Sequence, residues 1–413
     1  MRELVGRHRR QLRTQIDAAT RWLALWLVVV LGGCGRTEED QSPVCVNAWR
    51  ELRIPAELTD AHTGAAARRG QSAVWTGTEL VIWGGTMTDP IGIAWTPPDA
   101  YRALPAEGAP VPDGIHVLLA ERNGVVVAES SLGSYDPGTD TWSSLPPIPG
   151  PGEFASAAAT AGDVLLVQWA APQAEGVVTE YWAYDGSWRE VPTSWLQDGS
   201  WPMISLGDSV LAWGVMYPNY PNKAALGARY IHASNTWMEL NTVNQPTPRY
   251  DAAFVSTGRE AIIWGGGYYD EARGQSERFR DGARYDPEAD AWTPMNSEGA
   301  PDLGGNIQAY VAADDRMIVY GRDPDLETVG AVYDIPTDSW SNLTSLCGPP
   351  AFDLPSLTWV DSGLILWAGP PLCPPDAYDR NCPALRERAW FLPSEAIISA
   401  TTDPDDCRCP SPM

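Results

Sequence analysis

Short apolar runs of about five residues, separated by polar turns, fill most of this chain. Ser72 to Gly85 reads SAVWTGTELVIWGG, two apolar runs split by a polar turn and closed by a Gly pair. Asp251 to Gly267 reads DAAFVSTGREAIIWGGG and repeats that arrangement. Runs rich in Val, Ile, Trp and Tyr, punctuated by Gly, Pro and Asp, predict antiparallel strands. A second pattern lies downstream. Tyr285 to Trp292 reads YDPEADAW, Tyr135 to Trp142 reads YDPGTDTW, Tyr230 to Trp237 reads YIHASNTW and Tyr333 to Trp340 reads YDIPTDSW. In all four, Trp follows Tyr by seven residues. A recurring unit of this kind marks copies of one supersecondary piece.

Two strands ahead of the Gly pair and two around the Tyr…Trp turn make a four-stranded module. Such a module resembles the kelch repeat, which builds one blade of a β-propeller. The resemblance covers residues 47–393 and implies an all-β fold. Second-strand signals end near Trp83, Ala128, Trp169, Trp213, Trp264, Tyr320 and Trp367. Third-strand aromatics fall at Trp95, Tyr135, Tyr184, Tyr230, Tyr285, Tyr333 and Trp390, and fourth-strand aromatics at Tyr101, Trp142, Trp188, Trp237, Trp292 and Trp340. This counts seven blades, or six if the two degenerate first copies are not blades. The seventh copy lacks a fourth strand. Asn47 to Leu58, NAWRELRIPAEL, reads as that strand, so the ring is expected to close through an N-terminal strand and lose its unpaired edge. Ala396 to Thr401 is the alternative closing strand.

Twenty Trp and fifteen Tyr against five Phe suit packing between sheets, where an indole or phenol can also satisfy a polar edge. A net charge of -25 with a single lysine, Lys223, argues against nucleic acid as a partner. The N-terminus carries an address. Six Arg precede the apolar run Trp22 to Leu31, which small residues follow, the pattern of a secretory signal over residues 1–33. That run is near half of the roughly 20 residues needed to span a bilayer. Leu31-Gly32-Gly33-Cys34 resembles a bacterial lipobox. The resemblance implies that Cys34 is lipidated, and that Gly35, in place of Asp, favours the outer membrane. Residues 34–46 read as the lipidated cysteine and a flexible polar tether. The expected location is the cell envelope, held by the lipid anchor alone.

Six further cysteines, Cys45, Cys347, Cys373, Cys382, Cys407 and Cys409, bracket the place where the ring must close. An even number in an exported chain implies disulfides. Cys45 is expected to pair with Cys407 or Cys409, tying down the tail 394–413. Zinc is the rival reading for Cys407/Cys409 and Cys373/Cys382, but no histidine lies near them.

The repeated residues read as structural. The Gly pairs lack the helix N-terminus of a phosphate loop. Asp136, Asp286 and Asp334 read as turn holders rather than calcium ligands. Function then falls to loops on one rim. The connections between second and third strands are long at Val215 to Leu226, Gly267 to Asp281 and Gly369 to Arg386. They carry the candidate binding residues Tyr217 and Tyr220; Tyr268, Tyr269, Glu271, Arg278 and Arg280; and Tyr378 and Arg380. Aromatic faces stack, while Arg and acids give directional hydrogen bonds. A copper radical oxidase of the galactose oxidase kind would need His ligands and a Tyr/Cys crosslink, and the four His are scattered. No catalytic residue, metal or cofactor is assigned. The expected function is a monomeric binding module for an envelope protein or glycan. The alternative is a metal-independent sugar-modifying enzyme resembling sialic acid mutarotase, with Glu271 beside Arg278 or Arg280 moving the proton.

Overall fold

Seven four-stranded antiparallel sheets account for the repeat. The computed structural model describes residues 45, 47–55, 58, 71–84, 92–110, 118–121, 125–128, 131–173, 176–193, 201–214, 227–270, 274–303, 306–345, 347–349, 355–368, 388–398 and 409. All of them belong to one compact unit, residues 45–402 with 409–413. Blades 1 to 6 take their strands in chain order within 72–103, 118–144, 154–191, 203–239, 253–294 and 307–342. The two degenerate first copies are therefore blades, and the count is seven.

Blade 7 takes three strands from the end of the chain: Ser356–Val360, Gly363–Ala368 and Arg388–Pro393. Its fourth is Arg50–Leu52, antiparallel to Arg388–Pro393 with Arg50 opposite Phe391 and Leu52 opposite Ala389. Glu51 and Arg388 form an ion pair across this seam at 2.7 Å. The alternative closing strand is overturned: Ser394–Ile398 is a short helix, because the edge beyond Arg388–Pro393 is already occupied. First strands of successive blades lie side by side, and Ser72–Trp75 lies beside both Leu118–Glu121 and Ser356–Val360. One apolar cluster joins Leu80, Ile82 and Trp95 of blade 1 to Val360, Ile365 and Trp367 of blade 7, with Leu52 between them. This is the architecture of a seven-bladed β-propeller, with the first strands innermost.

The Tyr…Trp unit explains how blades hold one another. Within a blade, Tyr135 faces Trp142, Tyr230 faces Trp237, Tyr285 faces Trp292 and Tyr333 faces Trp340 across the third and fourth strands. Each Tyr hydroxyl then donates to the residue five further on: Asp140 at 2.7 Å, Asn235 at 3.0 Å, Asp290 at 2.7 Å and Asp338 at 2.6 Å. Those four residues all sit at positive φ, between 46° and 54°, where Asp and Asn are among the few side chains tolerated. Burial pushes the Tyr135 phenol up to about 12 and raises Tyr230, Tyr285 and Tyr333 as well, so each hydroxyl stays a donor.

The same turn reaches the preceding blade. Arg102 of blade 1 donates to Tyr135 at 2.7 Å and pairs with Asp140 at 2.5 Å. Asp290 accepts from the Asn241 amide at 3.2 Å and Asp338 from the Asn296 amide at 2.9 Å. Three fourth-strand indoles add a second link, donating backwards to a backbone carbonyl: Trp188 to Pro146, Trp292 to Asn241 and Trp340 to Asn296. Trp49, just ahead of the N-terminal strand, does the same to Thr344 at 2.8 Å. It is the fourth-strand Trp that the seventh copy lacks.

Asp136, Asp286 and Asp334 hold their turns locally, each Oδ1 accepting a backbone N–H two or three residues on. The heavier role falls on the residue five after Tyr. Asp338→Ala removes two acceptor bonds and places alanine at φ 48°. We expect a loss of about 2–3 kcal/mol, against about 1 kcal/mol for Asp338→Asn, read from denaturant midpoints. Equal losses for the two variants would contradict this role.

Candidate functional site

Second-to-third-strand connections and blade-to-blade connections share one rim, and the most fully built part of it belongs to blade 5. The segment Thr247-Pro248-Arg249-Tyr250-Asp251 leads into the first strand, Ala253–Ser256. Arg249 is 1% exposed. Its Nε donates to the Thr247 carbonyl at 2.8 Å. Its Nη1 donates to the carbonyls of Gly265 at 3.2 Å and Asp281 at 3.0 Å, and to Asp281 Oδ1 at 2.8 Å. The guanidinium lies over the Phe279 ring, 4.1 Å from its centroid. A planar fork fits this combination of stacking and multiple acceptors, and an ammonium does not.

Around Arg249 the second strand, Ala261–Trp264, runs out into Gly265 and Gly266, both at positive φ. A Cβ on Gly266 would lie 2.5 Å from the Tyr250 carbonyl oxygen and 2.8 Å from the Ala252 nitrogen. The Gly pair is thus a close backbone approach that lets Tyr250 to Ala252 press against the strand end. Gly266→Ala should cost about 3 kcal/mol, from the backbone overlap and the φ of 79° together. A thermal midpoint unchanged from wild type would refute that close approach.

Beyond the Gly pair the connection is not a plain loop. Gly267–Asp270 and Gln275–Arg278 form a two-stranded hairpin, Gly267 opposite Arg278 and Tyr268 opposite Glu277. Tyr250 and Gly267 exchange both backbone hydrogen bonds at 2.9 Å, and the Phe279 amide donates to the Gly266 carbonyl at 2.9 Å. The hairpin is fixed at its root and presents Gln275–Arg278 to solvent, all four residues exposed.

Of the residues assigned to binding from sequence, Tyr268 is half-buried at the hairpin root, Tyr269 lies in its first strand and Arg278 is exposed at its end. Arg280 is used within the fold. Its side chain donates to the Ala300 carbonyl and approaches Asp302 at 3.8 Å, while its carbonyl accepts the Trp264 indole at 3.1 Å. Glu271, Tyr217, Tyr220, Tyr378 and Arg380 lie outside the described residues, as do Cys34, Cys373, Cys382 and Cys407. Cys409 bonds Cys347, with Cα atoms 5.6 Å apart, a separation a disulfide spans. That corrects the Cys45–Cys409 pairing: Cys347 follows Thr344, the acceptor of Trp49, so the tail is tied at the seam itself. Cys45 is buried and disulfide-bonded to a partner outside the described residues.

The opposite rim has a cleft of about 660 Å³ between blades 4 and 5, lined by Asp208, Arg229, Arg259, Glu260, Asp286 and Glu288 among others. Its charges serve the fold. Arg229 donates to the Pro287 carbonyl, Arg259 pairs with Asp315 at 2.8 Å and Glu260 with Arg284 at 3.5 Å. Burial raises the Glu260 carboxyl above its ordinary range, although Arg284 opposes that. Among the described residues no three His, Cys, Asp or Glu side chains converge on one point. Comparison with protein-family models finds no match, and comparison with curated proteins finds none.

Proposed function

We propose that this chain is a kelch-type binding module, anchored in the cell envelope through Cys34, that offers the blade 5 rim to an envelope protein or glycan. What supports the reading is the anchored hairpin. An arm held at its root by a buried arginine and a reciprocal backbone pair carries exposed polar groups on a rigid scaffold, the arrangement recognition sites use. Among the described residues no helix is long and apolar enough to cross a membrane.

The test is a thermal-shift screen of the purified chain against glycans and fractionated envelope extract. A specific ligand at about 100 times its Kd should stabilise the fold by about 2.7 kcal/mol. Tyr268→Ala and Arg278→Ala should abolish that shift. A shift that survives both substitutions would remove the rim from the proposal. Turnover of a sugar that is lost in Glu271→Gln would replace the module with an enzyme.

A further inference from the structure

The arm on blade 5 carries a free sheet edge. Gly267–Asp270 and Gln275–Arg278 form a sheet of two strands, and Tyr250 occupies the far side of the first. The register determines which backbone groups of the second strand are left over. The Phe279 amide donates to the Gly266 carbonyl, so these two residues form a hydrogen-bonded pair. Such pairs alternate along an antiparallel ladder. Tyr268 and Glu277 are therefore the next hydrogen-bonded pair, and Gly267 and Arg278 between them are not one. Gly267 agrees, because its N–H and C=O both turn away from Arg278 to Tyr250. By the same alternation the N–H and C=O of Ser276 and of Arg278 point outward, to an edge that no strand among the described residues covers.

Each blade's fourth strand is an outer edge too, but each keeps at least one side chain buried or half-buried. Gln275–Arg278 is exposed at every position. An edge open on both faces is a template for one more strand. A second copy of this chain fits it poorly. The self-pairing with the most backbone bonds sets Ser276 opposite Arg278 of the second copy, and that puts Glu277 directly opposite Glu277. Centring the pair on Arg278 sets two arginines opposite each other. Centring it on Ser276 puts Arg278 opposite Gly274, which has left the strand at φ 63°. Like charges directly opposite destabilise a strand pair. Glu277 thus turns away its own copy and favours a strand with a basic residue at that position. A net charge of -25 attracts a basic segment as well.

We propose that the outer edge of Gln275–Arg278 binds an extended, basic segment of a partner protein as an added β-strand. The inference rests on the binding-module reading and narrows its ligand to a protein. Fluorescence polarisation of the purified chain tests it with two labelled peptides of alternating Thr and Val, one with a central Lys and its twin with a central Glu. The Lys peptide should bind about tenfold more tightly than its twin. Glu277→Lys should reverse that order. Ser276→Pro removes an outward N–H and spares the ladder within the arm, so it should melt with wild type yet bind the Lys peptide about tenfold more weakly or worse. Ser276→Thr keeps the N–H and should bind like wild type. Equal affinity for the two peptides, no binding of either, or undiminished binding by Ser276→Pro overturns the added strand. If Ser276→Pro melts early, the order of the two peptides in Glu277→Lys decides, and an unreversed order overturns the proposal. The rim reading is judged separately. An extract-induced shift lost in Tyr268→Ala and Arg278→Ala, with the peptides silent, leaves the rim standing and removes only the added strand.

Discussion

Trp49→Ala is expected to lower the unfolding midpoint by roughly 5 °C. Trp49 is 2% exposed and packs among Tyr320, Leu343, Leu366 and Trp390, in the cluster that joins blades 6 and 7. Truncating a buried Trp to Ala costs about 3–5 kcal/mol, and at this chain length each kcal/mol shifts the midpoint by roughly 1–2 °C. The lost indole also leaves the Thr344 carbonyl without its donor. Trp292→Ala removes the equivalent link in blade 5, where the fourth strand is continuous with its own blade. At the seam the fourth strand is a three-residue piece from the far end of the chain, held by Trp49, by Leu52 and by the Glu51–Arg388 pair. Its release uncovers the edge of Arg388–Pro393, and an uncovered edge recruits other chains. Trp49→Ala should therefore also open Arg50 and Arg53 to trypsin and raise light scattering with concentration, while Trp292→Ala only melts earlier. If Trp49→Ala melts within about 2 °C of wild type and stays monodisperse, the N-terminal strand is not what closes blade 7.

The seam was legible because an absence in a repeat is itself a signal. Six copies carried a fourth-strand aromatic, the seventh did not, and NAWRELRIPAEL supplied one from the other end. The Tyr…Trp step worked for a physical reason. Seven residues bring the two rings opposite each other across a tight turn, and that geometry leaves little freedom in the sequence between them. Where the turn shortens, the reading slips. In blade 3 Tyr184 faces Trp188, only four residues on, and the buried ring is Tyr181, which accepts from Gln168 at 3.0 Å. Asp140, Asp290 and Asp338 are less legible than their neighbours because side-chain-to-backbone bonding is visible from local spacing and a bond to the preceding blade is not. The hairpin at Gly267–Arg278 looks like a loop in the sequence because Gln-Ser-Glu-Arg has no apolar alternation: neither face of that strand is buried.

Arg249 is the residue that the pattern could least reveal, since an arginine between Pro248 and Tyr250 in a polar stretch reads as solvated. Its burial makes the second large prediction. Arg249→Ala removes a donor from the carbonyls of Thr247, Gly265 and Asp281, and leaves a void against Phe279. The Asp281 side chain is 60% exposed and can rehydrate, so the cost falls on the buried carbonyls and the void rather than on an abandoned charge. About 3–4 kcal/mol is expected from these together. Arg249→Met keeps much of the volume without the donors and should lose less, about 2 kcal/mol. Arg249→Lys should fall near Arg249→Met, because an ammonium cannot stack on Phe279 while bonding three carbonyls. The discriminating readout is local. Hydrogen exchange in Arg249→Ala should speed up at the amides of Gly267–Arg278 and at Gly265, both rooted on this guanidinium, and stay unchanged in blades 1 to 3. Any ligand held by the hairpin should then bind more weakly without having touched Arg249, because the arm would have to be ordered on binding. Uniform loss of protection across all blades would mean that Arg249 supports the ring as a whole, and protection unchanged at Gly267–Arg278 would mean that the hairpin does not depend on it.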